Sequence, residues 1–90
     1  MTLEVELVSA EAKVWSGEAS RVILRTTEGE MGVLTGHEPM LAVLAPGEVR
    51  ILSEGGSAVV AEVQDGFLSV EHDRVTLVSD TATLKSGSDG

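Results

Sequence analysis

The chain has 90 residues, of which 15 are acidic and 6 are basic, giving a formal net charge of −9. This length supports one domain, and the absence of cysteine excludes disulfides, thiolate metal sites and cysteine nucleophiles. The negative charge opposes contact with nucleic-acid backbones and anionic lipid headgroups, and no stretch reaches the roughly 18 apolar residues of a membrane span. We therefore expect neither nucleic-acid binding nor membrane insertion.

Apolar and polar residues alternate along most of the chain, which is the pattern of β-strands with one buried face. The first alternating run contains Leu3, Val5 and Leu7, and further runs begin near Val49 and Val75. Shorter apolar segments lie between these runs: RVILRT, MGVL, MLAVLA and GFLSV. No window of eleven residues has a helical period with capping residues.

Two tight hairpins are predicted from local turn signals. Gly55-Gly56 lies between two alternating runs, and primed turns need the positive φ that glycine adopts easily. The segment EHDR at residues 71–74 has the form of a second hairpin. Eight to ten short strands predict an all-β fold, a two-sheet antiparallel β-sandwich over residues 1–84. The polar residues 85–90 are expected to form a disordered tail.

Aliphatic residues must form most of the core, because Trp15 and Phe67 are the only aromatic residues. If Phe67 belongs to the core, its replacement by alanine is expected to cost about 3–5 kcal/mol. The residues expected in the core are Leu3, Val5, Leu7, Trp15, Ile23, Leu34, Leu41, Val49, Ile51, Val59, Ala61, Val63, Phe67 and Leu77.

The segment TTEGEMGVLTGHEPML at residues 26–41 concentrates glycine and charge. Its glycines do not have the G-x-G-x-x-G spacing of a dinucleotide site, so turn formation explains them better. His37 next to Glu38 gives no metal-ligand spacing, since adjacent residues of a strand point to opposite sides. Glu28 and Glu30 could act as an acid–base pair only if buried. No catalytic residue, cofactor or metal is predicted.

Six segments of the chain resemble the epsilon subunit of F-type ATP synthases, in that family's order and spacing. They are LVSAE at 7–11, WSGEA at 15–19, TEGEMGVLTGHEPML at 27–41, PGEVRI at 46–51, DGFLSV at 65–70 and VTLVSDTA at 75–82. The resemblance covers residues 3–84. It implies a ten-stranded β-sandwich that acts as a non-catalytic rotor subunit of the central stalk between the gamma subunit and the c-ring. It also implies a peripheral position on the cytoplasmic face of a bacterial plasma membrane, and a role in assembly and in coupling proton flow to ATP synthesis.

The resemblance assigns two sets of contact residues. Ser9, His37 and Ala42 match family positions that face the gamma subunit. Glu28, Gly29, Glu30 and Met31 match the segment that lies against the c-ring. In one respect the loop differs from the family pattern, because Thr35 stands where a proline usually precedes the Gly-His pair. The backbone leading into Gly36 therefore lacks the constraint of a proline ring.

The family typically continues into a two-helix C-terminal domain that can inhibit ATP hydrolysis and, in some members, binds ATP. The printed sequence stops a few residues after Leu84, so we expect these 90 residues to do neither. Another interpretation is a stand-alone acidic β-sandwich that binds another protein or a carbohydrate. A carbohydrate site is disfavoured by the shortage of aromatic stacking platforms. A lipoyl-type carrier domain would need a lysine at a central hairpin, and Lys13 and Lys85 lie near the termini.

Overall fold

Ten β-strands make up most of the computed structural model, which describes residues 2–87. They are β1 Leu3–Ser9, β2 Lys13–Ala19, β3 Arg21–Thr26, β4 Gly29–Leu34, β5 Met40–Leu44, β6 Gly47–Leu52, β7 Ala58–Val63, β8 Gly66–Glu71, β9 Arg74–Ser79 and β10 Ala82–Gly87. The all-β prediction is confirmed. Residues 85–87, predicted as part of a disordered tail, instead continue β10, where Ser86 and Gly87 pair with β7. The same prediction for residues 88–90 falls outside the described residues.

The strands form two five-stranded halves that are joined at one point. The first half has the order β4-β3-β6-β7-β10 and the second half the order β5-β8-β9-β1-β2. They meet where Thr26 of β3 pairs with Leu44 of β5, beside a hydrogen bond from the Thr27 amide to the Val43 carbonyl at 3.1 Å. The result is the predicted β-sandwich. Its sheet is also nearly closed, which was not predicted. The strand pairs are antiparallel except β1 with β9, which run parallel.

Both halves contribute aliphatic side chains to one core. Leu24 of β3 and Ile51 of β6 come from the first half, and Leu7, Leu68 and Leu77 come from the second. All of these side chains are at most 2% exposed. The complete set of buried apolar residues is Leu3, Val5, Leu7, Ala19, Val22, Leu24, Val33, Leu44, Val49, Ile51, Ala61, Val63, Leu68, Val70, Val75 and Leu77.

Four residues predicted in the core do not lie there. Leu34, Leu41 and Phe67 are 55%, 73% and 46% exposed, and Ile23 is half-buried. Their neighbours in sequence are buried instead: Val22, Leu24, Val33, Leu44, Leu68 and Val70. A shift of one residue moves a strand's side chains to its other face, and these short apolar runs do not indicate which face is inside. Trp15 and Val59 are partly buried against the core. The expected loss of about 3–5 kcal/mol for Phe67→Ala therefore has no basis, since that range applies to buried side chains.

The two predicted hairpins are confirmed. In the β6–β7 turn, the Ser53 amide donates to the Ser57 carbonyl at 2.9 Å, and Gly56 has a φ of 91°. In the β8–β9 turn, His72 and Asp73 have φ values of 52° and 61°. Two consecutive residues with positive φ are the mark of a type I′ turn, which matches the twist of the flanking strands.

Candidate partner-binding surface

The β3–β4 hairpin holds the predicted ring-contact residues at the surface. Thr26 is only 7% exposed, and its Oγ1 donates to the Gly29 carbonyl at 3.0 Å and accepts from the Glu28 amide at 3.1 Å. These two hydrogen bonds connect the buried Thr26 side chain to the backbone on both sides of the turn. Glu28, Gly29 and Glu30 are exposed, whereas Met31 is half-buried and packs against the core. The hairpin therefore presents two carboxylates on a backbone that a buried threonine fixes.

A groove of 720 Å³ separates this hairpin from β5. One wall consists of Glu28–Met31 and the other of Met40–Val43, with Phe67 at its edge. Ala42 therefore lines the same groove as the four predicted ring-contact residues. The sequence assigned Ala42 and the hairpin to different partners, and the structure brings them together.

Ala42 lies on the inner side of β5. In this strand Met40, Ala42 and Leu44 point towards the core, and Leu41 and Val43 point outwards. The half-buried Ala42 lines the groove, and the pairing of β5 with β3 is limited to Leu44. Its outward neighbours are the more prominent contact surface.

An apolar band crosses the outer face of the second half. We define it as Val8, Leu41, Val43, Phe67 and Val78. Val43 lies opposite Phe67, Phe67 lies opposite Val78, and Val78 lies opposite Val8. Since residues that lie opposite each other share a face, the band is continuous over β5, β8, β9 and β1. Contiguous apolar surface of this kind is typical of protein–protein interfaces.

This band is not predicted from the sequence, because the alternation of the strands placed Leu41 and Phe67 in the core. A signal was present in the segment MLAVLA, which has no polar residue on either face of β5. A strand that is apolar on both faces is usually covered on both faces. Here the sandwich covers only the inner one.

Ser9 lies at one end of the band, next to Val8. Its hydroxyl group donates to the Ala12 carbonyl at 3.2 Å and accepts from the amides of Glu11 and Ala12 at 3.3 Å each. Ser9 therefore shapes the β1–β2 turn. The hydroxyl group of Ser9 is therefore already hydrogen-bonded within the turn. A partner at this position would contact the whole turn and not Ser9 alone.

His37 lies at the other end of the second half, in the loop of residues 35–39. Its Nδ1 donates to the Glu38 carbonyl at 2.7 Å, and the preceding Gly36 amide donates to Oδ1 of Asp73 at 2.7 Å. Asp73 in turn accepts from the Glu4 amide through its carbonyl group. Since Ser9 is five residues further along β1 than Glu4, Ser9 lies roughly 17 Å along the strand from the end of β1 to which this loop is linked. The three predicted gamma-contact residues are thus spread along one half of the sandwich.

Ion pairs border the apolar band on β1, β2 and β9. Lys13 Nζ lies 2.9 Å from Glu6, and Arg74 lies 3.0 Å from Glu4. The Lys13 ammonium donates a hydrogen bond to Glu6 and adds its charge, so the pKa of that carboxyl lies below its ordinary value of 4.5. An apolar centre with a charged margin is the usual anatomy of an interface.

Three other structural features were compared with those of known kinds of site. Among residues 2–87, no three His, Asp or Glu side chains are grouped so as to hold a metal ion. No helix in the described part of the chain is long and apolar enough to span a membrane. Within the same residues, each buried side-chain nitrogen or oxygen has a hydrogen-bond partner.

Comparison with known proteins identifies the family. Residues 2–85 match the beta-sandwich domain of the ATP synthase delta/epsilon chain family. The chain belongs to this family. The ATP synthase epsilon chain of Micrococcus luteus is 51% identical over 82 residues, which are 91% of this chain and 90% of that one. The resemblance seen in the sequence is thereby confirmed.

Solved structures of family complexes contain the same fold. A chain in the cryo-EM structure of Euglena gracilis mitochondrial ATP synthase, which includes OSCP, F1 and the c-ring, has a TM-score of 0.87 and 29% identity. The match covers 92% of this epsilon-family chain and 53% of that chain. A chain of the Tetrahymena thermophila mitochondrial central stalk and c-ring has a TM-score of 0.75 at 18% identity, covering 91% and 66%. The second match bears on the fold alone.

Proposed function

We propose that this chain is a non-catalytic subunit of the central stalk, which joins the gamma subunit to the c-ring of an F-type ATP synthase. In that position it supports assembly of the complex and the coupling of proton flow to ATP synthesis. The observation that carries the proposal is the meeting of two unlike surfaces at β5. Leu41, Val43 and Phe67 of the apolar band line one side of the groove, and the acidic hairpin lines the other.

The apolar band is assigned to the gamma subunit. A stalk subunit turns together with gamma, so this contact must be permanent, and permanent interfaces are the more hydrophobic class. Leu41, Val43 and Phe67 offer large apolar side chains that the isolated domain leaves exposed. Ser9 and His37 lie at the two ends of the same half and border the band. Ala42, on the inner side of β5, adds to the gamma contact from the adjoining groove.

The acidic hairpin is assigned to the c-ring. In the epsilon family the polar loops of the ring commonly present an arginine, which complements Glu28 and Glu30. One exposed ion pair contributes only about 0.2–1 kcal/mol, because water and salt screen it. A ring repeats the loop many times, and partial burial between two proteins strengthens each contact. Gly29 and Met31 complete this surface on the same hairpin.

This arrangement requires no insertion into the lipid bilayer. The ring's polar loops extend beyond the membrane, so a domain of net charge −9 can reach them from the aqueous side. We therefore place the chain peripherally, on the cytoplasmic face of a bacterial plasma membrane. Catalysis belongs to other subunits of the complex, and the chain contributes neither a catalytic residue nor a cofactor site.

Reconstitution tests the proposal directly. ATP synthase depleted of its epsilon subunit is assembled in inverted membrane vesicles, the chain is added, and ATP-driven proton pumping is measured by quenching of a pH-sensitive dye. We expect the chain to bind in a one-to-one ratio and to restore pumping. Failure to bind the depleted complex, or binding without any gain in pumping, would refute the proposed function.

A further inference from the structure

Among residues 2–87, one carboxylate links the loop that carries His37 to a distant part of the chain. The Gly36 amide donates to Oδ1 of Asp73 at 2.7 Å, over a sequence separation of 37 residues. The hydrogen bonds of His37 itself are local. Its amide donates to the Leu34 carbonyl at 3.2 Å, and its ring donates to the Glu38 carbonyl. The link between this loop and the opposite hairpin thus depends on one side chain.

Asp73 is itself well fixed. It occupies the second central position of the β8–β9 turn, with a φ of 61°. Its carbonyl group accepts from the Glu4 amide at 2.8 Å, which ties the turn to the start of β1. The carboxylate therefore projects from a junction of three strands, and a group anchored in this way can position a loop that is less constrained.

The loop needs such a constraint because of its own sequence. Gly36 has a φ of 84° and can adopt many other conformations, and Thr35 supplies no ring to limit the backbone before it. Where the epsilon family usually has a proline, this chain has threonine, and the hydrogen bond from Gly36 to Asp73 links the loop to a distant part of the chain. An amide bound to a carboxylate makes a stronger hydrogen bond than one bound to a neutral acceptor.

We propose that Asp73 is a positioning residue, which holds the residue 35–39 loop so that His37 meets the gamma subunit. In this chain the carboxylate limits the conformations of the loop, as a proline before Gly36 would. The inference deepens the proposed function and depends on it for the identity of the partner. The tether itself is a property of the free chain and is tested without any partner.

The turn offers a substitution that separates the tether from the fold. Glycine is the preferred residue at the second central position of a type I′ turn. Asp73→Gly therefore keeps the turn and the backbone bond to Glu4, and it removes only the carboxylate. Asp73→Asn is the matched control, because asparagine accepts a hydrogen bond and tolerates positive φ.

The first measurement is hydrogen exchange of the Gly36 amide in the free chain, followed by NMR. We expect exchange to be about tenfold faster in Asp73→Gly, since an amide without its partner is open to water, and within about twofold of the parent in Asp73→Asn. The melting temperature of Asp73→Gly is expected to equal or exceed that of the parent. Unchanged Gly36 exchange in Asp73→Gly would overturn the proposal.

The second measurement is affinity for the purified gamma subunit by calorimetry. We expect Asp73→Gly to bind about fivefold more weakly, the factor that corresponds to one lost hydrogen bond. Adding Thr35→Pro to that variant should restore affinity to within about twofold. This change suits the site because Leu34, the residue before it, already lies in a strand. A merely structural role for Asp73 would not be rescued by proline at a distant position.

His37→Ala distinguishes the two possible failures. Suppose that His37→Ala weakens binding to gamma, and that Asp73→Gly speeds exchange of the Gly36 amide but binds gamma as tightly as the parent. The positioning role of Asp73 is then wrong. If His37→Ala and Asp73→Gly both bind as the parent does, the assignment of this loop to gamma in the proposed function fails. In that second case, faster exchange at Gly36 still supports the tether.

Discussion

Val43 and Phe67 lie directly opposite each other on β5 and β8, yet their side chains are 57% and 46% exposed. A cross-strand pair of a valine and a phenylalanine normally stabilises a sheet by packing against a covering layer. Here the covering layer of the domain is on the other side of the strands, where Leu44 and Leu68 are buried. The pair is therefore available to a second protein.

The first prediction is that this pair contributes to binding and little to folding. Val43→Thr with Phe67→Thr places a β-branched side chain, which suits a strand, at both positions and removes most of the apolar surface. Because exposed substitutions usually change the stability by about 0.5 kcal/mol or less each, we expect the melting temperature to change by only a few degrees. Affinity for gamma should fall at least about tenfold, as for central apolar contacts. Thermal melting and calorimetry measure the two quantities.

Two controls accompany this variant. Val60→Thr changes a half-buried valine on β7, in the other half of the sandwich, and should leave gamma affinity unchanged. Leu68→Ala removes a buried side chain next to Phe67 and should cost about 2–5 kcal/mol of stability. Parent-like gamma binding by the double threonine variant would remove the band from the interface.

The second prediction concerns the acidic hairpin. Glu28→Lys with Glu30→Lys should leave the melting temperature within a few degrees of the parent, because both side chains are exposed. Binding of the gamma–epsilon pair to the c-ring should weaken by about tenfold at low ionic strength, since like charges would then meet. The loss should shrink as salt is added, because screening shortens the range of the repulsion. Surface plasmon resonance at several salt concentrations measures both effects.

A charge-matched control separates local complementarity from net charge. Glu18→Lys with Glu62→Lys raises the net charge by the same amount, and both residues are exposed on strands away from the hairpin. It should bind the ring as the parent does. Equal losses for both double variants would show that overall charge matters and the hairpin position does not.

The third prediction tests the packing of β8 on β9. A Cβ atom added to Gly66 would overlap the Val78 carbonyl oxygen and lie 2.7 Å from the Ser79 Cα. Both atoms belong to the backbone, so the strands themselves would have to separate. We expect Gly66→Ala to cost about 3 kcal/mol or more, which lowers the melting temperature by at least about 12 °C in a domain of this size.

Gly32→Ala is the matched control, because the nearest atom to its added Cβ would be 3.9 Å away. Gly32 also lies in a strand and has no positive φ. Its melting temperature should stay within a few degrees of the parent. If Gly66→Ala melted like Gly32→Ala, the close approach of β8 to β9 would be incorrect.

The fourth prediction is a pH effect of the Glu6–Lys13 pair. The pKa of Glu6 in the folded chain is lowered first by the hydrogen bond from Lys13 and then by its charge. A lowered folded-state pKa stabilises the fold above the ordinary value of 4.5, and this contribution disappears as the pH falls through the folded-state pKa. Lys13→Met should return the pKa of Glu6 towards 4.5, as measured by NMR titration. Lys85→Met, which removes one of the two basic partners of Glu48, should leave the pKa of Glu6 unaffected. A Glu6 pKa that did not respond to Lys13→Met would contradict this assignment.

Much of the fold follows from local sequence. In β1, Leu3, Val5 and Leu7 alternate with polar residues and are all buried as predicted. Gly55-Gly56 and the EHDR segment mark hairpins because their turns need positive φ, which few residues adopt easily. Each of these signals spans only a few consecutive residues, so it can be recognised in one sequence without knowledge of the tertiary contacts.

The errors occur where neighbouring strands decide the outcome. RVILRT and GFLSV are apolar on both faces over short distances, and their register with β6 and β9 selects Val22 and Leu68 for the core. The exposed Phe67 suits a contact with another protein. Hydrophobic periodicity does not distinguish such a contact residue from a core residue. The bond between Gly36 and Asp73 joins distant positions and leaves no local trace. The contact residues Glu30 and Ser9 were assigned by family resemblance, and that assignment remains a prediction.

Site-specific photo-crosslinking in the assembled ATP synthase tests the central claim most directly. A photoreactive phenylalanine analogue is placed at Val43 in one variant and at Glu30 in another, since both side chains are exposed. After irradiation, the crosslinked subunit is identified by mass spectrometry. Our account predicts that position 43 crosslinks to the gamma subunit and position 30 to the c subunit. Crosslinking of both positions to the same subunit, or of position 43 to no subunit of the complex, would contradict it.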